Sequence, residues 1–498
     1  MLEWRATSLL RALDEVIVVC AVLVCAVPGV LALGRGDAGV FGTGVLLPLA
    51  VLVVVWSARS LEAFFQGGLE RDLELAPVHA DATIGRLFGQ PGEYGRSRMA
   101  RASRRIALAL TFSALPAALV IILGSWLVTG RPGVAHHWSI AAAVALSMSP
   151  RLLRNILPPV LSAALLRARR AGILFQQDRA FEKAGRVDAV VLRKRGVLLE
   201  PGREVVEFHL LGELSAEIIL ALVASCEEIA AGDELAEALM RHARREGVKP
   251  GDTRMARHLP SRGIHSTSPF GELFVGNRLF LIENGISVGR GETVAMEAEK
   301  RGNTAVFISI NRSVEAVAVI SNRLRPSGKQ AVEMFHRLGL TTILITGDST
   351  RTAESIGSWL GVDQIRPELA CGSREEEVGR LGGAGLGLAI LGSIAGGPPR
   401  GGEGDLRVGL GWDGEYDVDA GWDVAISGDD LERAALAIEL ARSGRRLLLV
   451  NWALAVLAGA ATFGFAASGL ASPLLAGLIV SLASAVMMVV RPRMGSTD

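Results

Sequence analysis

Cysteine is scarce in this chain, and neither sign of charge is in excess. The 498 residues hold 4 cysteines, none of them in a CxxC pair. That excludes a disulfide framework and leaves no zinc-binding spacing. Cys20 and Cys25 lie five positions apart in an apolar run. A helix sets residues at that spacing about 140° apart, a poor arrangement for one metal ion, and they read as buried thiols. Lys and Arg (52) nearly cancel Asp and Glu (51), for a net charge of +1. Without a basic excess the chain is not read as a nucleic-acid binder. Apolar sequence, by contrast, is abundant: 50% of residues are hydrophobic and the mean hydropathy is +0.37. That is too apolar for an ordinary soluble enzyme, and the length suits a membrane region with one or two soluble domains.

The apolar residues fall into runs. Residues 13–33 and 40–56, joined by the short turn GRGDAG, are long enough to cross a bilayer, the second only just. The first is not read as a cleaved signal peptide, because it is long, lacks a clear small-residue cleavage site and is followed closely by a second span. Residues 57–105 are polar and arginine-rich, from Arg59 to Arg105. By the positive-inside rule this segment is cytoplasmic, as is the N-terminus with Arg5 and Arg11. A third span follows at 106–128, then the outer loop TGRPGVAHH, then a fourth at 138–165 interrupted by Pro150, Arg151, Arg154, Pro158 and Pro159. A soluble block fills 167–446. Spans at 447–465 and 470–490 and the basic tail RPRMGSTD complete the chain. The expectation is a multi-pass protein of the cell membrane with six spans, both termini cytoplasmic, and the lipid bilayer as its first partner.

Within the soluble block a strand is expected at 187–192. Next come helices at 215–231 and 233–246, strand-like runs at 271–281 and 304–310, and a helix ending at 338. A strand at 386–391, a glycine-rich loop and a helix at 430–443 complete it. Strands alternating with helices indicate a parallel, Rossmann-like sheet. The most informative stretch is 341–369, TTILITGDSTRTAESIGSWLGVDQIRPEL. Its start, 341–346, is a buried strand of apolar and β-branched residues. Gly347 turns the chain, and Asp348 and Ser349 can cap a helix over 350–360 that stops at Gly361. A strand entering a helix N-terminus through Thr346-Gly347-Asp348 is a place to hold a phosphate.

Thr346-Gly347-Asp348, then Thr352-Ala353, then Gly361-Val362-Asp363, resembles the phosphorylation domain of P-type cation-transporting ATPases, most nearly the heavy-metal (copper/zinc-type) branch. The six-span layout agrees, and the resemblance runs from near Ala82 to the end. It implies an α-helical membrane protein whose cytoplasmic α/β domain is haloacid-dehalogenase-like and carries an α+β insert of the nucleotide-binding type. The divisions expected are 1–57 for the first two spans, 58–105 for the arginine-rich linker, and 106–166 for spans three and four. The phosphorylation-type domain takes 167–204 and 318–446, the insert 205–317, and spans five and six with the tail 447–498. The family's actuator domain, with its TGE loop, has no counterpart. Only about 50 residues separate spans two and three, no TGE occurs there, and DATIGRLFGQPGEYGRSRMARASRR resembles the stalk that follows that domain.

The resemblance also says where chemistry should sit. The family's DKTGT follows a strand beginning V-D-x-V-V; here the run is VDAVVLRKRGVLLEPG. Arg193 holds the aspartate's place, Lys194 and Gly196 are retained, and Arg195 and Val197 replace the threonines. An acyl phosphate needs a carboxylate nucleophile, and arginine stays protonated; Asp188 is too far back to substitute. The family's GDGxNDxP loop corresponds to GSIAGGPP at 392–399, with Ser393 and Gly397 in place of metal-binding aspartates. A hard dication wants carboxylates, so no Mg²⁺ site is expected. Asp405, Asp413, Asp417 and Asp419 read as a solvated acidic loop. The His-Pro pair of the insert is matched by Asp233-Glu234, and its Gly-x-Gly by Ser261-Arg262-Gly263.

What remains is a phosphate- or nucleotide-binding remnant of Thr346, Gly347, Asp348, Lys194 and Arg374, the last in place of a phosphate-facing lysine. ATP or another phosphate anion is its expected ligand. The transport motif of the fourth span reads Ser149-Pro150-Arg151. The kinking proline is kept, the metal-binding thiols are not, and Arg151 would repel a cation. The fifth span keeps Asn451, but a Tyr-Asn pair has become Ala458-Gly459. Met148, Met487 and Met488 read as packing, and His136-His137 as a polar loop.

The leading reading is a membrane pseudo-ATPase unable to form the aspartyl phosphate, with a regulatory, scaffold or binding role beside an active P-type ATPase or another membrane protein. The alternative is a divergent ATP-driven metal cation transporter. A haloacid-dehalogenase-type phosphatase would need Asp-x-Asp where this chain has Arg193 and Arg195.

Overall fold

The computed structural model describes residues 157–226, 234–259, 262–412, 421–467 and 473–489, with scattered helical positions between 105 and 146. Outside the described residues lie the first two expected spans with Cys20 and Cys25, the arginine-rich linker, the outer loop with His136 and His137, Met148, the Ser149-Pro150-Arg151 motif, Asp233, Ser261, Asp413, Asp417, Asp419 and the basic tail. The chain divides into two compact units, one of residues 1–185 with 437–498 and one of residues 186–436.

In the first unit, α1 (Leu157–Arg170) carries three arginines in its last turn, where they complement the helix dipole. Pro158 and Pro159, expected to interrupt a span, lie in its first turn, where a missing N–H costs no hydrogen bond. Next come β1 (Ile173–Phe175) and α2 (Asp178–Ala184).

The second unit opens with β2 (Ala189–Arg193), whose first four residues are buried. An antiparallel subdomain follows: β3 (Val205–Leu210), α3 (Ala216–Ala224), α4 (Glu234–Arg245), β4 (Arg254–Leu259), β5 (Gly263–Ser268), β6 (Gly271–Gly276), α5 (Arg278–Glu283), α6 (Gly289–Lys300), β7 (Thr304–Ile310) and β8 (Ser313–Ile320). Its strands run in the order β3-β8-β7-β6-β5-β4. β7 and β8 are buried along nearly their whole length because both faces are covered. Val306, Ile308 and Ile310 pack with Ile219, Leu222 and Leu239 of α3 and α4. The alternate Ala305 and Phe307 pack with Phe280 and Ala295 of α5 and α6. The expected strand at 271–281 stops at Gly276, since Asn277 caps α5 by accepting from the Phe280 amide at 2.9 Å.

The chain then returns through α7 (Ser327–Arg337), β9 (Thr341–Ile345), α8 (Thr350–Leu360), β10 (Gln364–Arg366), α9 (Cys371–Gly383), β11 (Leu388–Ser393), β12 (Leu406–Trp412) and β13 (Val424–Ser427). Within this unit the strands lie in the order β13-β12-β11-β2-β9-β10, all neighbours parallel. β12 and β13, which were not expected, follow the glycine-rich loop after β11. Leu406, Val408 and Leu410 are fully buried, and Gly409 between them is a packing position: a Cβ there would meet Ile394 Cγ1 at 2.5 Å. Asp405, expected in a solvated loop, is buried and accepts from the Gly402 amide at 2.6 Å.

Two helices follow, the first starting at the end of the second unit. α10 (Glu432–Ala467) is continuous over 36 residues, so the expected stop at 443 does not occur. Gly444 is a close-packing position instead: a Cβ there would sit 2.6 Å from Cζ of Phe181. Residues Glu432–Phe465 make a helix long and apolar enough to cross a membrane. α11 (Pro473–Val489) contributes Val480 to a cluster with Val160, Leu448 and Ala455.

Candidate functional site

The candidate site lies at the C-terminal ends of three adjacent parallel strands, β11, β2 and β9, where open α/β sheets hold ligands. Each strand ends in a different chemical group. β2 delivers Arg193 and then Lys194; β9 delivers Thr346-Gly347-Asp348; β11 delivers Ser393. The turn after β2 is drawn tight by Gly196, whose φ of 71° falls in the left-handed region. A Cβ on Gly196 would sit 2.7 Å from Cβ of Ser393, so the two strand-end loops touch.

Lys194 and Asp348 form a buried ion pair, their side chains only 3% and 13% exposed. Thr346 Oγ1 donates to Asp348 Oδ2 at 2.8 Å and accepts from the Asp348 amide at 3.2 Å. Lys194 Nζ also reaches Thr304 Oγ1 at 3.5 Å. Burial pushes the Lys194 ammonium down to about 7, against the attraction of Asp348; the neighbouring Arg203 pushes the same way as burial. Burial pushes the Asp348 carboxyl up, but the Lys194 charge and hydrogen bond outweigh it and hold the group below the usual carboxylate range.

Two partners of this pair carry no local sequence signal. Arg203 is buried, and its Nη2 donates to Thr304 Oγ1 at 3.0 Å and to Asn322 Oδ1. Thr304 and Asn322 come from the two ends of the β7–β8 hairpin region, and only the folded register brings them beside Lys194.

The helix start at β9–α8 is capped as the sequence suggests at Ser349, whose Oγ accepts from the Thr352 amide at 3.4 Å. Asp348 is not a second cap; its carboxylate is committed to Lys194. Glu368 fills that role: its Oε1 accepts from the Thr350 amide at 3.2 Å and from Thr350 Oγ1 at 2.9 Å. Arg374 lies over the Gly347 turn, donating from Nε to Leu369 O at 2.9 Å, and a Cβ on Gly347 would meet its Nη2 at 2.6 Å.

These groups line a cavity of about 650 Å³ shared with the antiparallel subdomain. Its ionisable walls are uneven in sign. Arg193, Lys194, Arg195, Arg262, Arg278 and Arg374 face it, against Asp348, Glu299 and Glu368. Arg278 is tied to Glu292 at 2.9 Å and Glu299 at 3.1 Å. Arg262 and Gly263 reach the cavity, as do Leu235 and Ala236, the neighbours of Glu234.

A divalent metal finds little to hold here. The lining contributed by 392–397 consists of Gly392, Ser393, Ala395, Gly396 and Gly397, with no carboxylate, and Asp348 is already paired. Among the described residues no group of three or more His, Cys, Asp or Glu side chains is placed to bind a metal. The residues present therefore do not fit Mg²⁺.

The chain is 28% identical over 362 residues to a copper-exporting P-type ATPase of Staphylococcus saprophyticus, a match covering 72% of this chain and 44% of that protein. It is 26% identical over 367 residues to a copper-exporting P-type ATPase of Staphylococcus aureus, covering 73% and 45%. The chain thus spans less than half the length of these curated relatives. Among solved structures, a zinc-transporting PIB-type ATPase in an E2.Pi state matches with a TM-score of 0.54 at 21% identity, covering 84% of this chain and 65% of that one; this likeness is one of fold. No protein-family model matches the chain. In sequence the chain is similar to copper-exporting P-type ATPases, and its fold is similar to that of a zinc-transporting one.

Proposed function

We propose that the chain is a membrane-embedded pseudo-ATPase. It keeps the phosphorylation-type fold, forms no aspartyl phosphate, and acts by binding, as a regulator or scaffold of an active P-type ATPase or another membrane protein. The observation that carries this is Arg193. It stands at the end of the central strand β2, on the cavity wall, where the resemblance puts the nucleophile. A guanidinium offers no lone pair for attack on a phosphoryl group. The neutral 392–397 loop supports the same reading, because phosphoryl transfer of this kind relies on metal ions to neutralise developing charge. In the full reading six helices span the cell membrane and both termini are cytoplasmic; the apolar length of α10 supports its place among them. The test is incubation of purified protein with γ-labelled ATP and Mg²⁺ followed by acid quench. The expected result is no retained label; acid-stable, hydroxylamine-labile label would overturn the proposal.

Similarity to copper-exporting P-type ATPases favours a second reading, a divergent ATP-driven metal cation transporter. Metal-stimulated ATP hydrolysis that disappears in Asp348→Asn would establish it.

A further inference from the structure

The turn expected to hold a phosphate is filled by the protein's own groups. Glu368 accepts from both the amide and the hydroxyl of Thr350 at the start of α8. It reaches there from a left-handed backbone, φ 57°, rare for a residue with a side chain. The Lys194 ammonium is spent on Asp348. Arg193 is different. It is half-buried on the cavity wall, and among the described residues its guanidinium has neither an ion pair nor a hydrogen bond, so its five donors have no acceptor there. The surface beside it, Gly392 to Gly397, is neutral. Arg195 and Arg374 line the same cavity. A cluster of this sign attracts a compact anion, and a guanidinium matches two oxygens of a phosphate at once.

Taking the site as one without turnover, as proposed above, we propose that Arg193 is the centre of an oxyanion site that binds a phosphate group with no divalent metal. The guanidinium supplies the positive charge for which a metal would otherwise be needed. The phosphate is either free inorganic phosphate or the terminal group of a nucleotide; the chemistry is shared, and the two are separable by experiment.

The test is equilibrium binding of labelled inorganic phosphate, and separately of γ-labelled ATP, to the full chain in detergent. Each is measured in EDTA and in Mg²⁺, at low and high salt. Phosphate is expected to bind in EDTA, with no gain from Mg²⁺ and a loss on raising salt. Arg193→Gln should weaken it by about tenfold or more, the worth of one charge-assisted pair, and Arg193→Lys by less. Unfolding midpoints of both variants near that of the parent protein establish that they fold. Competition by ATP but not by adenosine assigns the ligand as a nucleotide phosphate; binding of phosphate undiminished by ATP assigns it as the free ion. Binding that requires Mg²⁺, or that is equal in Arg193→Gln and the parent, overturns the inference. Absence of any binding, with no acid-stable label either, overturns the oxyanion site and leaves the pseudo-ATPase reading standing.

Discussion

Replacing Lys194 by methionine isolates the interaction that joins the two halves of the site. The side chain keeps a long apolar stem, one atom shorter, and loses its charge and donors, leaving Asp348 at 13% exposure beside Thr346. Removing one partner of a buried ion pair costs about 3–5 kcal/mol, because the remaining charge is left uncompensated in a poorly solvated site. Removing both is far cheaper. Lys194→Met with Asp348→Asn should recover most of the loss, with a coupling energy of about 2 kcal/mol or more in the double-mutant cycle.

The pH dependence is a second readout. Lys194 in the folded protein titrates near 7, below its ordinary 10.5. Between those values the unfolded chain holds the extra proton, so this group makes stability rise with pH across that window. Asp348 works in the opposite range. Its depressed pKa gives stability that is present above the usual carboxylate value and is lost as pH falls through the folded value. In Lys194→Met the rise between about 7 and 10.5 should vanish, and Asp348 should take up its proton at higher pH than in the parent. Denaturant titrations of the full chain in detergent from about pH 2 to 11 measure both. A single-variant loss below about 1 kcal/mol, with no coupling to Asp348, would refute the buried-pair account.

Three further outcomes are expected. Arg193→Asp restores a carboxylate at the end of β2 but not a metal-binding loop at 392–397, so acid quench after γ-labelled ATP should still show no hydroxylamine-labile label; its appearance would mean that the nucleophile alone was missing. Gly196→Ala forces a side chain into φ 71° and to 2.7 Å from Ser393 Cβ, and should cost about 1–3 kcal/mol in denaturant unfolding; a neutral result would mean that the turn relaxes freely. Glu368→Ala removes the carboxylate that caps α8, costing about 1 kcal/mol, while uncovering the Thr350 amide; phosphate affinity should rise, and a fall would show that Glu368 supports the ligand rather than occupying its place.

Local signals were legible in the sequence wherever the physics is local. The β-branched run before Gly347, the Ser349 cap and the left-handed Gly361, φ 76°, together delimit β9 and α8. Where distant segments meet, the reading from sequence went astray. Asp348 looked like a helix cap because capping acts within three residues, whereas its true partner is Lys194, 154 residues away. β12 and β13 were hidden in a glycine-rich stretch, because glycine marks a turn and a close-packed strand equally well; at Gly409 the neighbours Ile394 and Trp422 decide the matter. The continuity of α10 was missed for a related reason. A glycine inside a helix costs only about 1 kcal/mol, and the Phe181 ring packed against Gly444 offsets it.

The distribution of charge around the cavity fits the proposed reading of a fold kept without the chemistry it resembles. Several charged positions around the cavity are held by a counter-group of the chain itself. Lys194 is neutralised by Asp348, the α8 terminus by Glu368, and Arg278 by Glu292 and Glu299. These contacts are stabilising in the resting protein because each of these charges has a partner. Arg193 alone among the cavity's β2-end cations has a buried flank and no such partner. If the site had simply decayed, an apolar residue at this strand end would desolvate more cheaply than a guanidinium. An arginine that faces a 650 Å³ cavity with no partner among the described residues is completed, on the proposal above, by an anion.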